Sequence, residues 1–208
     1  MRRLTLSAVA LAFTMPCIAL PAAAQNASGS ASEQNPSSSA SEKTGNKAAA
    51  MGEAEAKHAA DTTTVGLLAL QTSQIALKKA QNPKVKEFAQ LEVAEQETIA
   101  DVLKSMRDQS TPASGQVKAP TADTVQSNLD AKGKAMVEKL QKAEAGAAFD
   151  REYVQSQIEG HQQLLEIQEA YLKTGKDREN LNVTKLMRGQ IKEHQMLLQD
   201  MHKQLGRS

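Results

Sequence analysis

From residue 54 to the end of the chain, apolar residues recur every three or four positions, and the alternation of a β-strand is absent. The spacing predicts four long helices. The first, from about Ala54 to Ala80, carries Val65, Leu68, Thr72 and Ile75 on one stripe and stops at Gln81-Asn82-Pro83. Pro83 suits the first turn of the next helix, where a missing N–H costs nothing. That second helix runs to about Arg107, with a stripe of Val85, Phe88, Glu92, Glu95, Ile99, Val102 and Met106. Two of these inward positions are acids.

The third helix begins after Gly146 and ends before Thr174-Gly175-Lys176, with Val154, Ile158, His161, Leu165, Gln168 and Leu172 on one face. Asp177 is a suitable N-cap for the fourth, whose stripe is Val183, Met187, Ile191, His194, Leu198, Met201 and Leu205. Between helices two and three, Pro112, Gly115 and Pro120 mark a loop, and a weaker helical stretch follows from Asp123. Short turns within each pair and one long link between the pairs predict an all-α, ferritin-like antiparallel four-helix bundle with one partly helical crossover. A helical crossover of about 18 residues covers roughly 27 Å and can carry the chain back along the bundle. Helices two and three then run parallel. Counting from the end where helix two starts places Gln96, His161 and His194 at one height, with Ala69 of helix one as the fourth member.

The same two histidines lie in a repeat. Residues 157–165 read QIEGHQQLL and residues 190–198 read QIKEHQMLL, six identities in nine. Both fall on apolar stripes, whereas His58 and His202 lie outside the assigned frames and are expected to face solvent. A di-iron carboxylate bundle needs Glu-x-x-His on two helices, but Ile158 and Ile191 stand three residues before these histidines. A single divalent transition metal held by His161, His194 and Glu92 or Glu95 is chemically sensible, since imidazole with carboxylate suits zinc, iron, nickel or copper. The alternative is a buried polar layer, with His161, His194, Gln96 and Glu95 hydrogen-bonded to fix the register of the helices.

Composition narrows the setting. Residues 1–24 have a basic start at Arg2 and Arg3, an apolar run and Ala22-Ala23-Ala24, the pattern of a secretory signal peptide. Residues 25–53 are rich in Ser, Ala, Asn and Gly, too polar to bury a core, and are expected to be a disordered linker. Residues 54–206 then form the bundle domain, with no transmembrane span once the signal is cleaved. Cys17 lies inside the signal, so the mature chain has no thiol for disulfides or metal. Losing Arg2 and Arg3 leaves 25 − 2 = 23 basic residues against 24 acidic, a formal charge of −1, which does not favour nucleic acid. A nucleophile elbow and a phosphate-binding loop are both missing. Glu92 and Glu95 share one wall, which does not suit glycoside hydrolysis.

The segments GLLALQTSQIALKKAQNPKVKEFAQ (66–90), GAAFDREYVQSQIEGHQQLLEIQ (146–168) and EHQMLL (193–198) resemble the exported bacterial family called domain of unknown function 4142. The resemblance implies a ferritin-like fold and an address in the periplasm or cell envelope, with no established reaction and a link to stress responses. It matches His161 and His194 to histidines typical of the family. The sequence departs from the pattern at Glu95-Gln96, where many members have Asp-His, and at Ala69, near an acid in other members. The reading that follows is an exported, non-catalytic helical bundle acting through binding or structure, its partner an envelope protein or a second copy of itself. The alternative is a metal-binding or redox module with a single-ion site in the core.

Overall fold

The computed structural model describes residues 52–207, apart from 109, 111 and 113. The expected signal peptide of residues 1–24 and nearly all of the expected linker of residues 25–53 lie outside the described residues. Six helices and no strands are found among those described: α1 (Glu53–Lys79), α2 (Pro83–Arg107), α3 (Ala122–Asn128), α4 (Ala131–Lys142), α5 (Ala147–Thr174) and α6 (Arg178–Leu205). Helices α1, α2, α5 and α6 are the four long ones, and the crossover is two short helices rather than one continuous stretch. Asp130 breaks it by capping α4, accepting from the Gly133 N–H at 2.7 Å. The architecture is the ferritin-like bundle, with α1 packed on α2 and α5, α5 on α6, and a thinner seam between α2 and α6. No helix among the described residues is long and apolar enough to cross a membrane.

The helix ends follow from local chemistry. Asn82 and Asp177 accept from the backbone N–H groups of Lys84 at 2.9 Å and Asn180 at 2.7 Å, satisfying donors that a helix start leaves free. Gly146, which precedes α5, has φ +148°, a conformation that L side chains rarely adopt. Two sequence motifs meet at this end. Buried Asp150 accepts from the backbone N–H groups of Gln81 at 3.2 Å and Asn82 at 2.8 Å, pinning the α1–α2 turn to the first turn of α5. One turn on, the Tyr153 hydroxyl meets Ser73 Oγ at 2.8 Å. Lys79 donates to the carbonyls of Leu140, Gln141 and Ala143, tying the crossover's end to α1.

The core at this end gathers Val85, Phe88, Leu140, Phe149, Val154 and Leu198. A second apolar cluster, Val65, Leu164, Met187 and Ile191, lies further along the bundle. The inward face of α2 is Val85, Phe88, Ala89, Glu92, Gln96 and Leu103. Glu95, Ile99, Val102 and Met106 are only half-buried. The helix is therefore rotated about its axis relative to the sequence-derived stripe, and Glu95 moves from the middle of that stripe to its edge.

Candidate metal centre

The charged layer is built by three helices. Glu92 and Gln96 lie one turn apart on the inner face of α2, and antiparallel α5 and α6 bring His161 and His194 opposite them. Glu92 is completely buried and His161 is 1 % exposed. Burying a carboxylate in this way is costly unless it is paired and hydrogen-bonded, and Glu92 is both. Its Oε1 accepts from Gln96 Nε2 at 2.9 Å. Its Oε2 lies 3.0 Å from His194 Nδ1 and 3.3 Å from His161 Nε2. Those two ring nitrogens are 3.2 Å apart, closing a triangle of three donor atoms. Phe88 covers it, with its ring centroid 5.1 Å from that of His194 and 6.0 Å from that of His161.

The outer partners fix the tautomers. His161 Nδ1 lies 2.9 Å from the Gln157 carbonyl oxygen, which can only accept, so Nδ1 carries the hydrogen and a neutral ring turns the Nε2 lone pair into the triangle. His194 Nε2 lies 3.1 Å from Glu95 Oε2. Donation from that nitrogen leaves the Nδ1 lone pair of the neutral ring facing inward. With both rings neutral, three lone pairs thus converge on one point. Without a proton or a cation among them they would repel, so the triangle has to contain one or the other.

Electrostatics point the same way. Burial pushes the Glu92 carboxyl up, but when protons rather than an ion occupy the triangle, hydrogen bonds from His161 and His194, together with their charges, outweigh it and hold the group at about 2. For His194 burial opposes the charged ring, yet the Glu92 hydrogen bond and the charges of Glu95 and Glu92 raise it above its ordinary value. Glu95 goes the other way from Glu92. Burial raises it to about 7, with the His194 charge pulling it down and Glu92 pushing it up.

Of the four residues singled out in the sequence, Glu92, His161 and His194 come together, with ligand atoms within 4.8 Å of one another. Glu95 sits outside the triangle, on the far ring nitrogen of His194. Gln96 contacts Glu92 and neither ring, and Ala69 is buried without offering a ligand atom. The Gln157 carbonyl that orients His161 was not legible, because a main-chain oxygen has no residue signature.

The expectation for His58 is corrected, while His202 is exposed as expected. His58 is buried and meets Gln168 Oε1 at 2.7 Å. The amide nitrogen of Gln168 donates to Thr62 Oγ1 at 3.1 Å, so Oε1 is the acceptor and His58 Nε2 the donor. The His58 ring also stacks on Tyr171 with centroids 4.3 Å apart. The signal was present in the sequence: His58, Thr62, Val65, Ala69 and Thr72 step by four, three, four and three along one helical face.

A family model described as "Domain of unknown function (DUF4142)" matches residues 40–201. Among solved structures, a DUF305 protein from Streptomyces coelicolor, described as secreted, aligns with a TM-score of 0.59 and 16 % identity. The alignment covers 74 % of this chain and 94 % of that one. At that identity the likeness speaks for the fold alone. No curated protein matches the sequence.

Proposed function

The chain belongs to the DUF4142 family, and from that premise we propose that it is an exported metal-binding bundle holding one divalent transition ion. The ligands are Glu92 Oε2, His161 Nε2 and His194 Nδ1. One observation carries the reading: the three donor atoms form a closed buried triangle, 3.0, 3.2 and 3.3 Å apart. An ion about 2.1 Å from nitrogen and oxygen donors sets neighbouring donors about 3.0 Å apart in octahedral and about 3.4 Å apart in tetrahedral geometry. The triangle lies between these limits. Metal-bound histidines characteristically donate their other N–H to a carbonyl or carboxylate, and Gln157 and Glu95 stand where those acceptors are needed. Two imidazoles and one carboxylate suit zinc, iron, nickel or copper rather than calcium or magnesium, and they leave coordination positions for water.

The test is the metal content of untagged protein, followed by melting temperature with zinc, copper, iron(II) or nickel added. Bound metal near one equivalent, or a rise in melting temperature that His161→Leu abolishes, supports the reading. Neither bound metal nor stabilisation leaves the polar layer as the role of these residues. The observation that favours this second reading is Glu92 itself, both of whose oxygens already have protein partners.

A further inference from the structure

A glycine inside a helix sacrifices stability, because its backbone loses more freedom on folding than any other residue's. Gly66 lies buried in the middle of α1 with no positive φ to explain it. The reason lies across the α1–α2 interface. A Cβ built on Gly66 would stand 2.5 Å from Gln96 Oε1, closer than real contacts allow, and 3.6 Å from the Gln96 Cδ. The amide of Gln96 therefore rests directly against the α1 backbone, in space that only glycine leaves open. From there its nitrogen donates to Glu92 Oε1 at 2.9 Å.

That bond decides how Glu92 faces the ring nitrogens. With Oε1 committed to Gln96, only Oε2 points at His161 and His194. We propose that Gly66 is a positioning residue of the metal centre: its bare backbone seats the Gln96 amide, which holds Glu92 as a one-oxygen ligand. The inference rests on the metal-binding reading and goes beyond it by assigning the ligand's orientation to a residue with no side chain on a different helix.

A purely structural glycine and a positioning glycine predict opposite patterns for Gly66→Ala. The clashing atom is the far end of a flexible side chain, so Gln96 can swing away and alanine's better helix propensity is retained. In the metal-free protein that gain offsets part of the cost of leaving Glu92 Oε1 without Gln96, so the melting temperature should fall only modestly, while Gly189→Ala, where a Cβ meets nothing within 4 Å, should leave it level or raise it. Zinc affinity should nevertheless fall about 10- to 100-fold in Gly66→Ala, the usual effect of losing an outer-shell partner, and remain unchanged in Gly189→Ala. Gln96→Ala should show the same loss, and the double variant no more than either single one, because one lock is being broken twice.

Zinc binding by Gly66→Ala at wild-type strength, or losses that multiply in the double variant, would overturn the proposal. Hydrogen exchange of the Gln96 side-chain amide in the metal-free protein provides a readout that does not depend on the ion. The amide should be protected in the wild type and exposed in Gly66→Ala, and equal protection in both overturns the lock. Protection lost on substitution in a wild-type protein that binds no zinc would retain the lock and remove the metal reading alone.

Discussion

At Glu92 and Glu95, two carboxylates three residues apart are driven in opposite directions. In the metal-free, protonated site Glu92 gains from the hydrogen bonds and charge of the rings, while Glu95 is desolvated at the edge of the layer and touches one ring only through its outer nitrogen. The pH dependence of the metal-free protein follows from these shifts. Glu92, held at about 2 against an ordinary 4.5, contributes stability that is present above 4.5 and lost as pH falls towards 2. Glu95, raised from 4.5 to about 7, contributes stability that is present below 4.5 and lost as pH rises through 7. Glu95→Gln should therefore flatten the decline between these values in urea unfolding, and an unaltered decline would disprove the assignment. Glu95→Ala removes the acceptor that orients His194, and zinc affinity should drop about 10- to 100-fold without vanishing. His194, whose raised value keeps it protonated above 6.5, has to release that proton to bind the ion. Zinc affinity should rise with pH through this range, and calorimetry in buffers of differing ionisation enthalpy should report net proton release on binding.

Among the elements, the α1–α2 turn and the start of α5 act as one unit through Asp150. Its carboxylate replaces the backbone partners that Gln81 and Asn82 lack where α1 stops. Hydrogen bonds to a charged group contribute about 1.5–3 kcal/mol each, so Asp150→Ala should cost at least about 2 kcal/mol of unfolding free energy. Asp150→Asn, which keeps an acceptor oxygen, should lose less. A loss below about 0.5 kcal/mol for the alanine variant would mean that solvent replaces the carboxylate. The QNP turn and the FDREY segment were visible as sequence landmarks, but not as partners. They are 69 and 68 residues apart at the bonded positions, and only the crossover brings them together. The stripe of α2 was displaced for a related reason. Residues three apart on a helix are separated by about 60° around its axis, and a periodic pattern cannot say which of Glu92 and Glu95 is the more central. Phe88 and Leu103, both buried, settle the rotation in favour of Glu92.

For the whole molecule, a site assembled from α2, α5 and α6 would link ion binding to the global fold. The bonded residues are 33 positions apart between the histidines and 102 between Glu92 and His194, so unfolding scatters the ligands. An ion that binds only the folded state adds about 2.7 kcal/mol at a hundred times its dissociation constant. Thermal unfolding with increasing zinc should therefore shift continuously upward in the wild type and remain fixed in Glu92→Gln. A shift of equal size in both would place the ion elsewhere. His58, at the other end of the bundle from Asp150, has its charged form opposed by burial, partly offset by its bond to Gln168. Its contribution to stability is present above 6.5 and lost as pH falls through its lowered value, independently of zinc.

The helices, their order, the crossover and the height at which His161 and His194 meet follow from the pattern along the chain, because apolar period and link lengths fix faces and axial positions. It also contained the frame that buries His58, once the stripe of α1 is followed back one further turn and more. That Glu92 rather than Glu95 completes the triangle, that the Gln157 carbonyl faces His161 Nδ1, and that Gly66 makes room for Gln96 emerge from the packed fold. Those outcomes depend on separations of about 3 Å, which are set by how far each helix is turned and how closely neighbouring axes approach. Side-chain packing across the interface controls both, and no repeat along a single chain encodes it.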